Sequence, residues 1–99
     1  MYGLSNIVID KIQSVLSKHK NIDSAILYGS RAIGTNHETS DIDITLKGCI
    51  TLSELLKIEV DIDDLMLPYK VDLSVFNSIQ NRELLEHIER VGKIFFENN

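Results

Sequence analysis

Two groups of residues that could do chemistry lie close together in the first half of the chain. Gly29 and Ser30 directly follow a short apolar run, and ten residues separate them from Asp41 and Asp43, where a second apolar run begins. A Gly-Ser pair at the end of a strand lets the backbone approach a ligand closely and leaves N–H groups free for an anion such as phosphate. The spacing therefore predicts a phosphate-binding turn beside a pair of carboxylates.

The two carboxylates are expected to share one open face of a strand. Polar and apolar residues alternate over positions 41–46, which places Asp41 and Asp43 opposite the isoleucines and leucine of the same run. Two carboxylates about 4 Å apart repel each other by about 4 kcal/mol at an effective dielectric constant of roughly 20. Mg²⁺ would remove that repulsion, since it typically binds through one or two carboxylates together with substrate phosphates. The pattern therefore indicates a site for a nucleoside triphosphate.

A third carboxylate, Asp72, lies in a second alternating segment over positions 71–75. Asp72 and Ser74 share the face opposite the three apolar residues of that segment, so three aspartates converge if the two strands are neighbours. The alternative is that each aspartate is an ordinary solvated strand residue and that Gly29-Ser30 is a plain turn. For one aspartate alone we favour that alternative, but the assembled set favours a site.

The spacing of Gly29-Ser30, ten further residues, Asp41-x-Asp43 and a later Asp72 resembles the nucleotidyltransferase superfamily that includes DNA polymerase β. The resemblance is strongest to its minimal, single-domain bacterial and archaeal branch. It implies an α+β fold, with a small mixed β-sheet flanked by helices as in the palm of polymerase β, and a single domain over residues 1–99. Relatives often carry an arginine where this chain has Ile33, so one cation that could help hold phosphates is missing.

The resemblance also implies the roles of the site residues. Two Mg²⁺ ions about 3.5–4 Å apart would stabilise the attacking and leaving oxygens of an in-line displacement, with ATP as the expected donor. The expected catalytic and metal-binding residues are Asp41, Asp43 and Asp72, and the expected nucleotide-binding residues are Gly29, Ser30 and Arg31. Minimal members of the superfamily are similar to antitoxins that neutralise helical HEPN-type ribonuclease toxins, in some pairs by adenylylating a tyrosine.

Two other functions stay open at this level. The chain could be a binding module that neutralises a helical partner by occupying it, with or without a nucleotide in its site. A nucleic-acid tailing enzyme is less favoured, because the net charge of −5 argues against a broad electrostatic hold on phosphates.

Composition predicts one soluble globular domain, with 43% apolar and 25% charged residues in a chain of 99. The single cysteine, Cys49, excludes an internal disulfide and fits a reducing compartment. No apolar run approaches the roughly 20 residues of a membrane span, and no signal sequence is evident, so the expected location is the cytoplasm. Self-association is left open.

Hydrophobic periodicity predicts helices and strands in a definite order. The predicted elements are a helix over 4–19, a strand over 25–28, a helical turn over 30–33, a strand over 41–47, a helix from 51 that ends before Pro68, a strand over 70–76, a helix over 79–91 and a short strand over 93–97. Thr51 is predicted to cap the third helix, and Asn77 or Ser78 the last one. The third helix is predicted to turn Leu52, Leu55 and Leu56 inward, with Ile58 as a further candidate.

The sequence neighbours of the remaining loop, histidine and tyrosine residues indicate exposed or structural positions for them. Residues 34–39 are polar enough to form an exposed, flexible flap. His19, His37 and His87 are predicted to be non-catalytic, because histidines in such surroundings are usually solvated or structural. Tyr28 is predicted to belong to the core or to a pocket wall.

Overall fold

The elements form in the predicted order in the computed structural model, which describes residues 1–98. Their bounds are α1 Asn6–Ser17, β1 Ile22–Tyr28, α2 Ser30–Ile33, β2 Ile42–Gly48, α3 Leu52–Asp63, β3 Val71–Val75, a 3₁₀ turn Phe76–Ser78, α4 Arg82–Val91 and β4 Lys93–Glu97. The predicted α+β class is therefore confirmed. None of the helices in residues 1–98 has the length and apolar character needed to cross a membrane.

The four strands found in residues 1–98 form one mixed sheet with the order β3-β2-β1-β4. Strand β1 runs antiparallel to β2 and β4, whereas β2 and β3 are parallel. The register pairs Tyr28 with Asp43 and Asp43 with Asp72. Because directly opposed residues in neighbouring strands point to the same face, these three side chains lie in a row across the sheet.

The hydrophobic core lies between the other face of the sheet and helices α1 and α3. Apolar residues that alternate along β1 and β2 meet residues three or four apart on the helices, as expected for a half-buried sheet covered by amphipathic helices. The fully buried members of this cluster are Ile12, Leu16, Ile22, Ala25, Leu27, Ile42, Ile44, Leu46 and Ile58.

The face that carries the aspartates is partly covered, which corrects the expectation of an open face. Helix α4 packs against β1 there, with the ring of His87 against that of Tyr28. Gly92 follows the helix directly, and a Cβ at this position would lie 2.7 Å from Cγ2 of Ile26 and would also collide with the carbonyl oxygen of Ile88. A larger residue at position 92 would therefore push α4 away from β1.

The two predicted caps have different outcomes. The prediction for Thr51 is confirmed, because its hydroxyl accepts a hydrogen bond from the N–H of Glu54 at 3.1 Å. The predicted cap of α4 is wrong. Residues Phe76–Ser78 form a separate 3₁₀ turn, and Asn81, three or four residues after the predicted cap, caps the helix. The Asn81 side chain accepts from the N–H of Leu84 at 3.1 Å.

The inward face of α3 differs from the predicted one at Leu52 and Leu56, whereas Ile58 lies in the core as the further candidate. Ile58 and Ile62 are its buried residues, whereas Leu52 and Leu56 are 71% and 54% exposed. Residues four apart share a helix face, so burying the pair 58 and 62 turns the stripe that contains 52 and 56 away from the sheet. Leu55, which is half-buried, is the one of the three predicted leucines that faces the core.

This rotation of α3 predicts opposite outcomes for two similar truncations. Ile58→Ala should lower the free energy of unfolding by about 2–5 kcal/mol, because it leaves a cavity in the core. Leu56→Ala should change it by less than about 0.5 kcal/mol, because the side chain is exposed. Urea unfolding of both variants measures the difference, and equal losses would contradict this orientation of the helix.

Candidate active site

The three aspartates lie on one face at the junction of β2 and β3. Asp43 and Asp72 are directly paired in the parallel ladder, and Asp41 lies one residue before the first residue of β2. Asp41 and Asp72 are exposed, whereas Asp43 is half-buried between its neighbours. The structure therefore brings the sequence-predicted carboxylates to one place.

The charges of these carboxylates affect one another. Burial raises the pKa of the Asp43 carboxyl, and the negative charges of Asp72 and then Asp41 raise that pKa further, while His87 acts in the opposite direction. Repulsion of this kind disfavours the ionised form of Asp43 as long as no cation is nearby. The repulsion between these carboxylates therefore destabilises the folded protein as long as no ligand is bound.

The residues present fit a hard divalent cation. Carboxylate oxygens are the ligands that Mg²⁺ prefers, and an ion between the strands would relieve the repulsion at Asp43. Within residues 1–98, no three His, Cys, Asp or Glu side chains already have the arrangement of a finished metal site. A shared ion therefore requires Asp41, Asp43 and Asp72 to turn toward it about their side-chain torsions.

Gly29 lies directly against one of these carboxylates. Its backbone has φ 77° and ψ −159°, a conformation that is essentially restricted to glycine. A Cβ at this position would also collide with Oδ2 of Asp43. Glycine is therefore required twice, by the shape of the turn and by the approach of the Asp43 side chain.

The N–H of Gly29 is not free, in contrast to the sequence-based expectation. It donates a hydrogen bond to Nε2 of His87 at 3.1 Å. The N–H groups of Ser30 and Arg31, at the start of α2, donate to no acceptor in residues 1–98. These two groups and the Ser30 hydroxyl are the donors left for an anion.

His87 is the site residue that sequence reasoning missed. In the sequence, the one signal for its role was its position next to Ile88 on an amphipathic helix, which indicates a half-buried side chain. The contact with Gly29 joins residues 58 positions apart, so no local pattern could have revealed it.

Arg31 has a different position from the one that nucleotide binding requires. Its side chain is 2% exposed, and its guanidinium donates to the carbonyl oxygens of Tyr2, Glu38 and Ser40 at 2.8–3.3 Å. The guanidinium also lies 4.9 Å from the centre of the Tyr69 ring. Since Ser40 precedes Asp41, these contacts position the loop before Asp41, and they leave the Arg31 side chain, unlike its backbone N–H, turned away from a ligand.

The loop over residues 34–39 is exposed at most positions, but it is anchored at its end. Besides the contacts of Arg31, the Ser40 hydroxyl accepts a hydrogen bond from the N–H of His37 at 2.8 Å. The expected free flap is thus tied to the body of the domain just before Asp41. His37 itself is exposed.

Tyr28 forms part of the wall of the site, in agreement with its predicted place. Burial raises the pKa of its hydroxyl, the nearby Ser74 hydroxyl lowers it, and the charges of Asp43 and Asp72 raise it. The Ser74 hydroxyl is buried and makes no hydrogen bond of full geometry within residues 1–98.

His19 lies away from this site. Its Nε2 is 3.0 Å from the carboxylate of Asp61, so the pair links the chain just after α1 to α3. Asp61 thus takes no part in the aspartate cluster.

Comparison with protein families and known proteins gives a consistent result. The family model described as "Polymerase beta, Nucleotidyltransferase" matches residues 10–99. Two proteins of Methanocaldococcus jannaschii, whose names propose protein adenylyltransferase activity for them, are 37% and 38% identical to this chain over 90 residues. Each alignment covers 82% of this chain and 91% of the relative.

Solved structures of similar fold include toxin–antitoxin complexes. One, determined with AMP-PNP, has a TM-score of 0.72 at 24% identity and is matched over 92% of this chain and 74% of that chain. Another contains a tri-AMPylated HEPN toxin of Shewanella oneidensis with its MNT antitoxin, with a TM-score of 0.70 at 17% identity over 96% of this chain and 74% of that chain. At these identities the likeness shows the fold, and it confirms the predicted polymerase β-like arrangement.

The family model spans most of the chain, and the two relatives are aligned over most of their length. We conclude that the chain belongs to the polymerase β nucleotidyltransferase family and is an enzyme of the nucleotidyltransferase class, as the Gly-Ser and Asp-x-Asp spacing predicted.

Proposed function

We propose that this chain transfers AMP from ATP to a hydroxyl group of a protein partner in the presence of Mg²⁺. The observation that carries the proposal is the register that pairs Asp43 with Asp72, together with the contact between Gly29 and the Asp43 carboxylate. This arrangement puts a turn with unused N–H donors beside carboxylates that repel one another. Such a site suits a triphosphate that arrives with its cation.

Each group at the site has a distinct task in this reaction. Asp41, Asp43 and Asp72 would hold the metal ions, and Asp72 would also take up the proton of the acceptor hydroxyl. Bound Mg²⁺ supplies charge stabilisation for the attacking and leaving oxygens during the displacement of pyrophosphate. The N–H groups of Ser30 and Arg31 would hold phosphate oxygens, which places the α-phosphate near the acceptor.

The proposed partner is a helical HEPN-type toxin whose tyrosine hydroxyl accepts the AMP. The names of the two M. jannaschii relatives and the tri-AMPylated toxin in the S. oneidensis complex support this choice. The exposure of Asp41 and Asp72 supports it as well, because the side of the site away from α4 is open to a large acceptor. A partner that closes this side would exclude water from the reacting groups.

The metal assignment predicts that stability and activity respond in opposite ways to one substitution. Asp43→Asn should leave the melting temperature equal to or above that of the wild type, because it removes a repelled carboxylate. It should abolish the stabilisation by Mg-ATP and lower the transfer rate by more than about 100-fold, because a metal ligand is lost. Thermal melts with and without Mg-ATP measure both effects.

Asp63→Asn is the matched control, since Asp63 is an exposed carboxylate on α3. This variant should keep both its melting temperature and its response to Mg-ATP. A large drop in the melting temperature of Asp43→Asn in the absence of nucleotide would instead make Asp43 a structural residue.

The turn predicts a ranking of three further variants in ATP affinity. Gly29→Ala should weaken binding most, because its Cβ displaces the Asp43 carboxylate and its conformation costs about 1–3 kcal/mol. Ser30→Ala should weaken it by up to about 10-fold, which is the effect of one lost hydrogen bond. Gly34→Ala tests strain alone, because Gly34 has φ 94° but no atom of residues 1–98 within 4 Å of a Cβ there.

Calorimetric titration with ATP and Mg²⁺ measures this ranking. Equal affinities for the wild type, Gly29→Ala and Ser30→Ala would remove the turn from the nucleotide site. A loss with Gly34→Ala as large as that with Gly29→Ala would assign the effect to backbone strain.

The acceptor proposal predicts a mass change in the partner. Incubation of this chain with its candidate HEPN-type partner, ATP and Mg²⁺ should add one or more adenylyl groups to that partner, as measured by intact-mass spectrometry. The Asp43→Asn variant should add none. If the mass stays unchanged while both the wild type and Asp43→Asn suppress the toxin, the chain acts as a binding module.

A further inference from the structure

We propose that His87 is a positioning residue that holds the Gly29–Ser30 turn in the orientation needed to bind a triphosphate. This proposal rests on the proposed function, because it concerns how the same turn is kept ready for phosphate. The acceptor is Nε2 of His87, the donor is the N–H of Gly29, and they are 3.1 Å apart in a partly buried environment.

The hydrogen bond fixes the state of the imidazole in this arrangement. Nε2 can accept from the Gly29 N–H only if it carries a lone pair, so the ring proton is on Nδ1. The ring also meets Tyr28 edge-on, with ring centres 6.2 Å apart. Tyr28 is the residue before Gly29, so the imidazole contacts two successive residues at the end of β1.

The position of His87 is set by the docking of α4 on the sheet. Ile88, the next residue, is buried, and Asn81 caps the start of the helix. At the other end, Gly92 lets the helix end approach Ile26 on β1. The imidazole is therefore carried by a helix that is fixed at both ends, and it can serve as an anchor for the turn.

The turn needs such an anchor because glycine does not fix its own conformation. Glycine populates a wide range of φ and ψ values, and rotation about the Gly29 bonds would change the direction of the Ser30 N–H. Two contacts restrict this rotation. The Gly29 N–H is held by His87, and the Gly29 carbonyl accepts from the N–H groups of Ala32 and Ile33 at 3.1 and 3.2 Å.

This anchoring removes one N–H group that could otherwise donate to phosphate. Because the Gly29 N–H is already bonded to His87, the contacts with phosphate pass to the next two N–H groups and to the Ser30 hydroxyl. Helix α4 and the start of α2 are thereby coupled through a single hydrogen bond between distant parts of the chain.

Two variants of His87 separate positioning from general packing. His87→Gln keeps a side-chain oxygen that can accept from the Gly29 N–H, whereas His87→Leu has a comparable size and no acceptor. The matched control is His19→Leu, which removes a histidine that is 16% exposed and bonded to Asp61, away from the site. The probes are Mg-ATP affinity, measured by calorimetry, and hydrogen exchange of the Gly29 amide, measured by NMR without nucleotide.

His87→Leu should weaken Mg-ATP binding by about 3- to 10-fold and should expose the Gly29 amide to exchange, as expected for the loss of one hydrogen bond. His87→Gln should restore both readouts to within about 2- to 3-fold of the wild type. His19→Leu should leave both unchanged even if it lowers the melting temperature.

Two results would overturn the role of His87: unchanged Gly29 protection in His87→Leu, or a glutamine variant as impaired as the leucine variant while both remain folded. A wild-type protein that does not bind Mg-ATP would overturn the proposed function instead. In that case the exchange of the Gly29 amide still decides whether His87 holds the turn.

Discussion

The parallel pairing of β2 with β3 is the constraint on which the rest of the site depends. It sets Asp43 directly beside Asp72, and Asp41 adds a third negative charge from the end of the preceding loop. Burial, and then this repulsion, raises the pKa of Asp43 in the protein alone. A fold that keeps this arrangement must recover the stability elsewhere, and the fully buried aliphatic cluster under the same strands provides it.

Buried polar contacts hold the parts of the site that the sheet does not fix. The Arg31 guanidinium ties the loop before Asp41 to the N-terminal segment and to Tyr69, and His87 holds the turn after β1. The Arg31 side chain donates to backbone carbonyl oxygens, and the His87 side chain accepts from a backbone N–H. They orient the loop before Asp41 and the turn after β1. The groups left for a ligand are the N–H groups of Ser30 and Arg31, the Ser30 hydroxyl and the three carboxylates.

The two sides of the aspartate row differ in a way that matters for a large acceptor. On the β1 side, α4 covers the sheet and buries Tyr28, so that side is closed. On the β3 side, Asp72 is exposed at an edge strand. The proposed protein acceptor would therefore approach from the β3 side, with the proposed nucleotide near the turn.

The sequence by itself determined the features that depend on a few neighbouring residues. The alternation over 41–46, the cap at Thr51 and the spacing between Ser30 and Asp41 indicated the elements, the aspartate cluster and the family. Tertiary structure alone decided which way α3 turns, that the Arg31 guanidinium is buried among carbonyls, and that His87 accepts from Gly29. Periodicity and capping are short-range and can be read directly, whereas these contacts join residues far apart in the chain, and their partners are selected only when the helices dock on the sheet.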